Sequence, residues 1–175
     1  MNVPAQVPAP AKAEPAAAAS EGPAAAAAQF LEAVRTGNDE KVTKMLGTVA
    51  RAKLAEANIS VIPPASDTAK FKVGKVEYIG EDGARVNCLW TDLDENGEPR
   101  SDHALWVLRR EAEGWRVVGV AADTFDKEPP LLLNFEDPQD VVKKQQWLRA
   151  EVARRSQEEK SPGNTGENSP GQTSH

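Results

Sequence analysis

The part of the chain that most constrains the fold is a run of β-type segments between residues 70 and 125. Each segment is rich in Val, Trp, Tyr, Phe or Thr, which suit a pleated, half-buried surface. The segments cover residues 70–79, 84–93, 104–110 and 115–125. The linkers contain Gly, Asn and Asp, which tolerate the positive φ of tight turns, at 80–83, 94–97 and 111–114. This pattern predicts a four-stranded antiparallel meander.

The two ends of the chain have a composition that predicts disorder. The hydrophobic share of the 175 residues is 39%, below the roughly 45–50% usual in globular domains. Residues 1–23 are nearly all Ala and Pro, and residues 156–175 are polar and rich in Gly, Ser, Pro and Glu. Such segments lack the large apolar side chains that fold a chain. We expect a disordered linker, a single domain over residues 24–155, and a disordered tail.

Helices precede the predicted sheet. Pro23 suits the first helical position, and the apolar residues from Ala27 to Val34 recur at helical spacing on one face. Gly37 ends this helix, Asn38 or Asp39 caps a second, and a third extends from about residue 48 to Asn58, a left-handed stop. Residues 59–68 contain two prolines, which predicts a short edge strand or an extended entry segment.

The central strands are apolar on both faces near their middles, so we expect both faces of the sheet to be covered. The helices would cover one face, and a pocket, a dimer partner or the C-terminal segment the other. Residues 126–137 predict an irregular connector whose Leu132 and Phe135 clamp onto the sheet or bind a partner. A last helix follows, from Asp137-Pro138 to about Arg155, and its narrow apolar stripe includes Trp147, a candidate partner contact.

The predicted fold class is therefore α+β, with N-terminal helices packed on a curved four-stranded antiparallel meander and a C-terminal helix. This order, with its closing strand Gly-Trp-Arg-Val-Val-Gly at residues 114–119, resembles the nuclear transport factor 2-like superfamily of cystatin-like cone folds. The resemblance covers residues 24–128. It implies a ligand site inside the cone and a homodimer through the sheet. The superfamily holds isomerases, cyclases and dehydratases as well as non-catalytic binding domains.

An isomerase-type site needs a carboxylate base and a donor for the developing oxyanion. The candidate bases are Asp123 and Asp102, and the candidate donor is Tyr78, the one tyrosine. Trp90 and Trp106 are candidates for lining a ligand pocket, although packing in the core is the commoner role for each tryptophan taken singly.

A calcium site is the one metal hypothesis that the sequence raises. Asp92, Asp94 and Asn96 match the first half of a D-x-[DN]-x-[DN]-G loop. The twelfth position is His103 rather than a bidentate glutamate, and an acidic hairpin turn explains the same residues. We expect no cofactor, because phosphate-loop and nucleophile motifs are absent from the sequence.

The net charge of −6 argues against a nucleic-acid partner, and no stretch of about 18 apolar residues predicts a membrane span. The single cysteine, Cys88, excludes an intrachain disulfide and is expected to be a buried thiol. A soluble, cytoplasmic protein is the default expectation; an upstream signal or anchor missing from this chain would imply export or anchoring.

Two classes of function follow. The first is a non-catalytic domain that binds a small apolar ligand or a protein partner. The second is a small cofactor-independent isomerase or dehydratase with an acidic base in the cone. A carboxylate inside a closed apolar cone would favour the enzyme, and a cone filled by side chains would favour the binding or structural role.

Overall fold

The computed structural model describes residues 22–160. Residues 1–21 of the predicted linker and all but the first five residues of the predicted tail lie outside the described residues. The chain divides after Val141 into two compact units. Within residues 22–160, no helix combines the length and the apolar character that crossing a membrane requires.

Three helices open the first unit: α1 (Pro23–Thr36), α2 (Asp39–Met45) and α3 (Thr48–Glu56). Gly37 ends α1 in the left-handed conformation with φ 69°, and Asn38 caps α2 by accepting a hydrogen bond from the Lys41 N–H at 3.1 Å. Asn58 follows α3 with φ 54°. These start and stop signals confirm the predicted helices.

Five strands form one antiparallel sheet in chain order: β1 (Lys70–Ile79), β2 (Gly83–Leu93), β3 (Pro99–Glu111), β4 (Gly114–Ala122) and β5 (Leu131–Asn134). The predicted count of four is wrong, because part of the expected irregular connector is strand β5, whose Leu133 lies opposite Val120. The segment at residues 59–68 contains no strand, so it is an extended entry rather than an edge strand.

One face of the sheet, which we call the inner face, packs against the helices. Ala84, Val86 and Cys88 of β2 alternate with exposed residues, and Trp106 and Leu108 of β3 join them in the core. Opposite the sheet, the apolar side chains of α1 predicted to share one face are buried in the same core: Ala27, Phe30, Leu31 and Val34. Helices followed by an antiparallel meander are the order that the resemblance to the nuclear transport factor 2-like superfamily implies.

The start of α3 is fixed to the sheet by two contacts. The Gly47 N–H donates to the Val117 carbonyl at 2.8 Å. The Glu111 carboxylate, at the end of β3, accepts hydrogen bonds from the Thr48 N–H at 3.0 Å and from the Thr48 hydroxyl at 2.7 Å. Since Gly47 has no side chain to cap α3, Glu111 supplies the cap from another element.

Helix α4 (Pro138–Lys160) extends beyond the predicted end at Arg155, so the first residues of the predicted disordered tail are helical. Its Val141 belongs to the core of the first unit. Within the second unit, Glu151 accepts hydrogen bonds from Arg154 and Arg155, which lower the pKa of its carboxyl to about 2. Ion pairs three or four residues apart stabilise a helix such as α4, whose residues are mostly polar.

Candidate functional site

An apolar cavity of about 200 Å³ lies between α1 and the inner face of the sheet. Leu31 and Val34 of α1 form one wall, and Pro63 of the entry segment borders it. The sheet contributes residues from three adjacent strands, namely Cys88, Trp90, Ala104, Trp106 and Ala122. Its position matches the site implied by the resemblance, between the sheet and the helices.

The two predicted pocket tryptophans both line this cavity, and each is held by an aromatic neighbour. Trp106 is 8% exposed and its ring centroid lies 4.9 Å from that of Phe30. Trp90 is half-buried and stacks on Phe71 at 6.4 Å, with ring planes 10° apart. Because each indole ring packs against another aromatic side chain, both tryptophans are held in the cavity wall without a ligand.

Strand register decides which acidic candidate reaches the cavity. Asp102 lies opposite Trp90 and shares the inner face with Ala104 and Trp106, so it borders the mouth of the cavity together with His103. Its carboxylate accepts a hydrogen bond from the Arg100 Nε at 3.3 Å. Asp123 is exposed and does not line the cavity, and its backbone N–H donates to the His103 carbonyl at 3.3 Å.

The cavity wall carries little polar chemistry. Cys88 is 2% exposed, and burial raises the pKa of its thiol to about 12, so it stays protonated. Among the described residues, every buried side-chain nitrogen or oxygen atom has a hydrogen-bond partner. The cavity wall is therefore apolar, and charged side chains occur only at the mouth of the cavity among the residues that line it.

The cavity lining does not include the remaining predicted site residues of the first unit, Tyr78, Leu132 and Phe135. Tyr78 is 59% exposed and makes an edge contact with Trp115 at 6.2 Å. Leu132 is 50% exposed on β5, whereas Phe135 is 1% exposed and packs in the core of the first unit. Trp147, on α4, is about half exposed. The structure thus brings Asp102, Trp90 and Trp106 together and separates them from Tyr78.

Two of the predicted calcium residues, Asp94 and Asn96, lie in the hairpin turn between β2 and β3, and Asp92 lies near the end of β2. The Asp94 carboxylate accepts hydrogen bonds from the Asn96 N–H at 2.8 Å and the Glu98 N–H at 3.0 Å, which lower its pKa. Asp92 accepts from the Thr68 hydroxyl at 2.6 Å. In the part of the chain that the structure describes, no three His, Cys, Asp or Glu side chains are grouped to hold a metal ion.

Two larger depressions lie near the hairpin turns of the sheet. One, of about 690 Å³, is next to the β3–β4 turn and includes Arg110, Glu113 and Arg116. The other, of about 550 Å³, is next to the β2–β3 turn and shares Trp90 and Asp102 with the apolar cavity. Both are bordered by several charged side chains, so the apolar cavity remains the better candidate for a ligand site.

Sequence reasoning missed the parts of the site that depend on register. Ala122 and Pro63 carry no chemical signal. Asp102 fell outside the strand predicted over residues 104–110, although β3 begins at Pro99 and includes it. Alternation of Asp102, Ala104 and Trp106 at a period of two was the available signal.

No protein-family model and no curated protein sequence matches the chain. Among solved structures, the association domain of CaMKII from C. elegans is similar over 55% of this chain and 88% of its own length, with 20% identity and a TM-score of 0.42. A ketosteroid isomerase-like protein from Erwinia carotovora atroseptica is similar over 53% and 85%, with 22% identity and a TM-score of 0.40. At TM-scores below 0.5, these likenesses identify neither a ligand nor a reaction for this chain.

Proposed function

We propose that the first unit is a non-catalytic binding domain whose cavity holds a small apolar ligand. The observation that carries the proposal is the cavity between α1 and the inner face, with two braced tryptophans in an apolar wall. Its 200 Å³ exceeds the roughly 150 Å³ of an engineered apolar cavity that binds benzene, and lies below the roughly 300–1,000 Å³ of drug-sized sites. The expected ligand is therefore about the size of one substituted ring.

The test is an NMR titration of the full-length, ¹⁵N-labelled protein with toluene. We expect saturable shifts of the indole N–H signals of Trp90 and Trp106, while the signal of Trp115, outside the cavity lining, stays in place. The variant Ala104→Leu fills the cavity and removes the shifts. The matched control Ala112→Leu changes an exposed turn residue and binds like the wild type.

Two results would overturn the proposal. One is a titration without saturable shifts up to the solubility limit of toluene. The other is an Ala104→Leu variant that stays folded and binds toluene as the wild type does, because the ligand would then occupy another place.

A second candidate is the cofactor-independent isomerase or dehydratase, which the position of Asp102 favours. Asp102 borders the cavity beside Trp90, whose indole N–H is a candidate donor. However, its carboxylate is exposed and paired with Arg100, whereas a general base at this kind of site is usually desolvated. Turnover of a cyclic ketone that Asp102→Asn abolishes would favour this candidate over the binding domain.

The predicted homodimer through the sheet is a separate proposal. Leu89, Leu105 and Val107 occupy the face opposite the inner face and are each only partly buried. A second copy that covers them would remove this apolar surface from water. Sedimentation equilibrium of the full chain is expected to give a dimer mass, and a monomer mass at all accessible concentrations would reject it.

A further inference from the structure

We infer that the ligand of this cavity is a small organic amine, with its apolar body inside the cavity and its ammonium group at Asp102. This inference rests on the proposed function. It adds the charge and the chemical class of the ligand, and it follows from what borders the cavity mouth.

The carboxylate of Asp102 is placed at the mouth by two strands. Opposite residues of an antiparallel pair share a face, so Asp102 and Trp90 lie next to one another on the inner face. Asp102 borders both the apolar cavity and the depression at the β2–β3 turn. A ligand at this end of the cavity therefore contacts both an indole ring and a carboxylate.

Arg100 is the rival group, since a guanidinium would favour a carboxylate ligand. It borders the outer depression and is not part of the cavity lining. Its contact with Asp102 is long at 3.3 Å, and both side chains are at least half exposed, so the pair is weak and can be exchanged for a ligand. The charge nearest the apolar wall is therefore negative.

The outer depression strengthens the preference for a cation. Four carboxylates border this depression, and Arg100 contributes the one positive charge among its lining residues. The carboxylates belong to Asp92, Asp94, Glu95 and Asp102. Carboxylates around a partly enclosed mouth attract a cation and repel an anion. An ammonium group near Trp90 also gains from the electron-rich face of the ring.

The cavity volume limits the apolar body. One six-membered ring fits with some space left in 200 Å³, and a two-carbon arm would carry the amine to the mouth. These features describe an arylalkylamine of the size of 2-phenylethylamine.

The test compares three probes of similar shape by isothermal titration of the full chain at pH 7 and low salt: 2-phenylethylamine, 2-phenylethanol and phenylacetate. We expect the amine to bind roughly threefold to tenfold more tightly than the alcohol, and the anion most weakly. The variant Asp102→Asn is expected to remove the preference for the amine and to leave the affinity for the alcohol unchanged. Asp123→Asn, which changes an exposed carboxylate outside the cavity lining, serves as the matched control and keeps the preference.

The outcomes separate this inference from the proposed function. If the alcohol binds as tightly as the amine, or if phenylacetate binds best, the inference is wrong and the apolar binding site stands. If the preference for the amine survives in Asp102→Asn, the ammonium group lies elsewhere and the inference is also wrong. If none of the three probes binds, the proposed function fails and the inference fails with it.

Discussion

Substitution of Glu111 tests how α3 is attached to the sheet. Its carboxylate accepts hydrogen bonds from the backbone and the hydroxyl of Thr48, at the N-terminus of α3. In Glu111→Gln the amide offers one acceptor oxygen in place of two, so the hydrogen bonding from Thr48 is disrupted and the negative charge near the positive end of the helix is also lost. A helix cap contributes about 1 kcal/mol and a charge near the helix end about 0.3–1 kcal/mol. We therefore expect the free energy of unfolding to fall by about 1–2 kcal/mol.

The same contact predicts a pH dependence. Hydrogen bonding by Thr48 is the largest cause that lowers the pKa of the Glu111 carboxyl, and the charges of Arg116 and Arg109 add to it. A carboxyl whose pKa is lower in the folded state stabilises the fold above its ordinary pKa. This contribution is lost as the pH falls through the lowered, folded-state value. The difference between wild type and Glu111→Gln should thus be full at pH 7 and shrink as the pH falls below the ordinary pKa of a glutamate.

Urea unfolding followed by circular dichroism at pH 7 and pH 3 measures this difference. Glu113→Gln is the matched control, because Glu113 lies in the next turn, is exposed and makes a contact of only 3.5 Å with Arg116. Its effect should stay within about 0.5 kcal/mol. An unchanged unfolding midpoint for Glu111→Gln at pH 7 would show that the Glu111 carboxylate does not stabilise α3. So would a loss of stability that is equally large at pH 3.

Three further predictions concern the core. Phe135→Ala should lower the free energy of unfolding in urea by about 3–5 kcal/mol, because Phe135 is almost fully buried. Leu132→Ala should lower it by well under half of that. Similar losses for the two variants would contradict the assignment of Phe135 to the core. Gly119→Ala should lower the free energy of unfolding by about 1–3 kcal/mol in the same assay, since the new Cβ would lie 2.7 Å from the Leu133 carbonyl oxygen. Wild-type stability of this variant would show that β5 is not held against β4. Because burial raises the pKa of the Cys88 thiol to about 12, iodoacetamide at pH 8 should modify it only after unfolding; rapid alkylation of the native protein would contradict its burial.

The hairpins could be predicted from the sequence because their turns contain Gly, Asn and Asp, which favour turn conformations. The Asp94–Gly97 turn needs a residue with positive φ, and Gly97 adopts φ 79° there. Strand β5 lacked such a signal: three consecutive leucines follow two prolines, so no alternation distinguishes the inner Leu133 from the outer Leu132. A period of two becomes visible there only when the partner strand is known.

The candidate site was predictable by residue type but not by position. Trp90 and Trp106 were expected at a pocket because large aromatic side chains line such sites, and the structure places both at the cavity. Asp102 and Asp123 are chemically alike in the sequence, but β2–β3 pairing places Asp102 opposite Trp90, whereas Asp123 lies just beyond the end of β4. Register depends on contacts between distant segments, which a local pattern does not contain.

A crystal structure of the full chain soaked in bromobenzene would show directly whether the space between α1 and the inner face accepts an apolar ligand. The anomalous signal of bromine locates the ligand independently of any change in the protein. We expect one strong bromine peak inside the cavity, in contact with Trp106 and Ala104. A cavity without a bromine peak at saturating bromobenzene, or a peak confined to another part of the molecule, would contradict it.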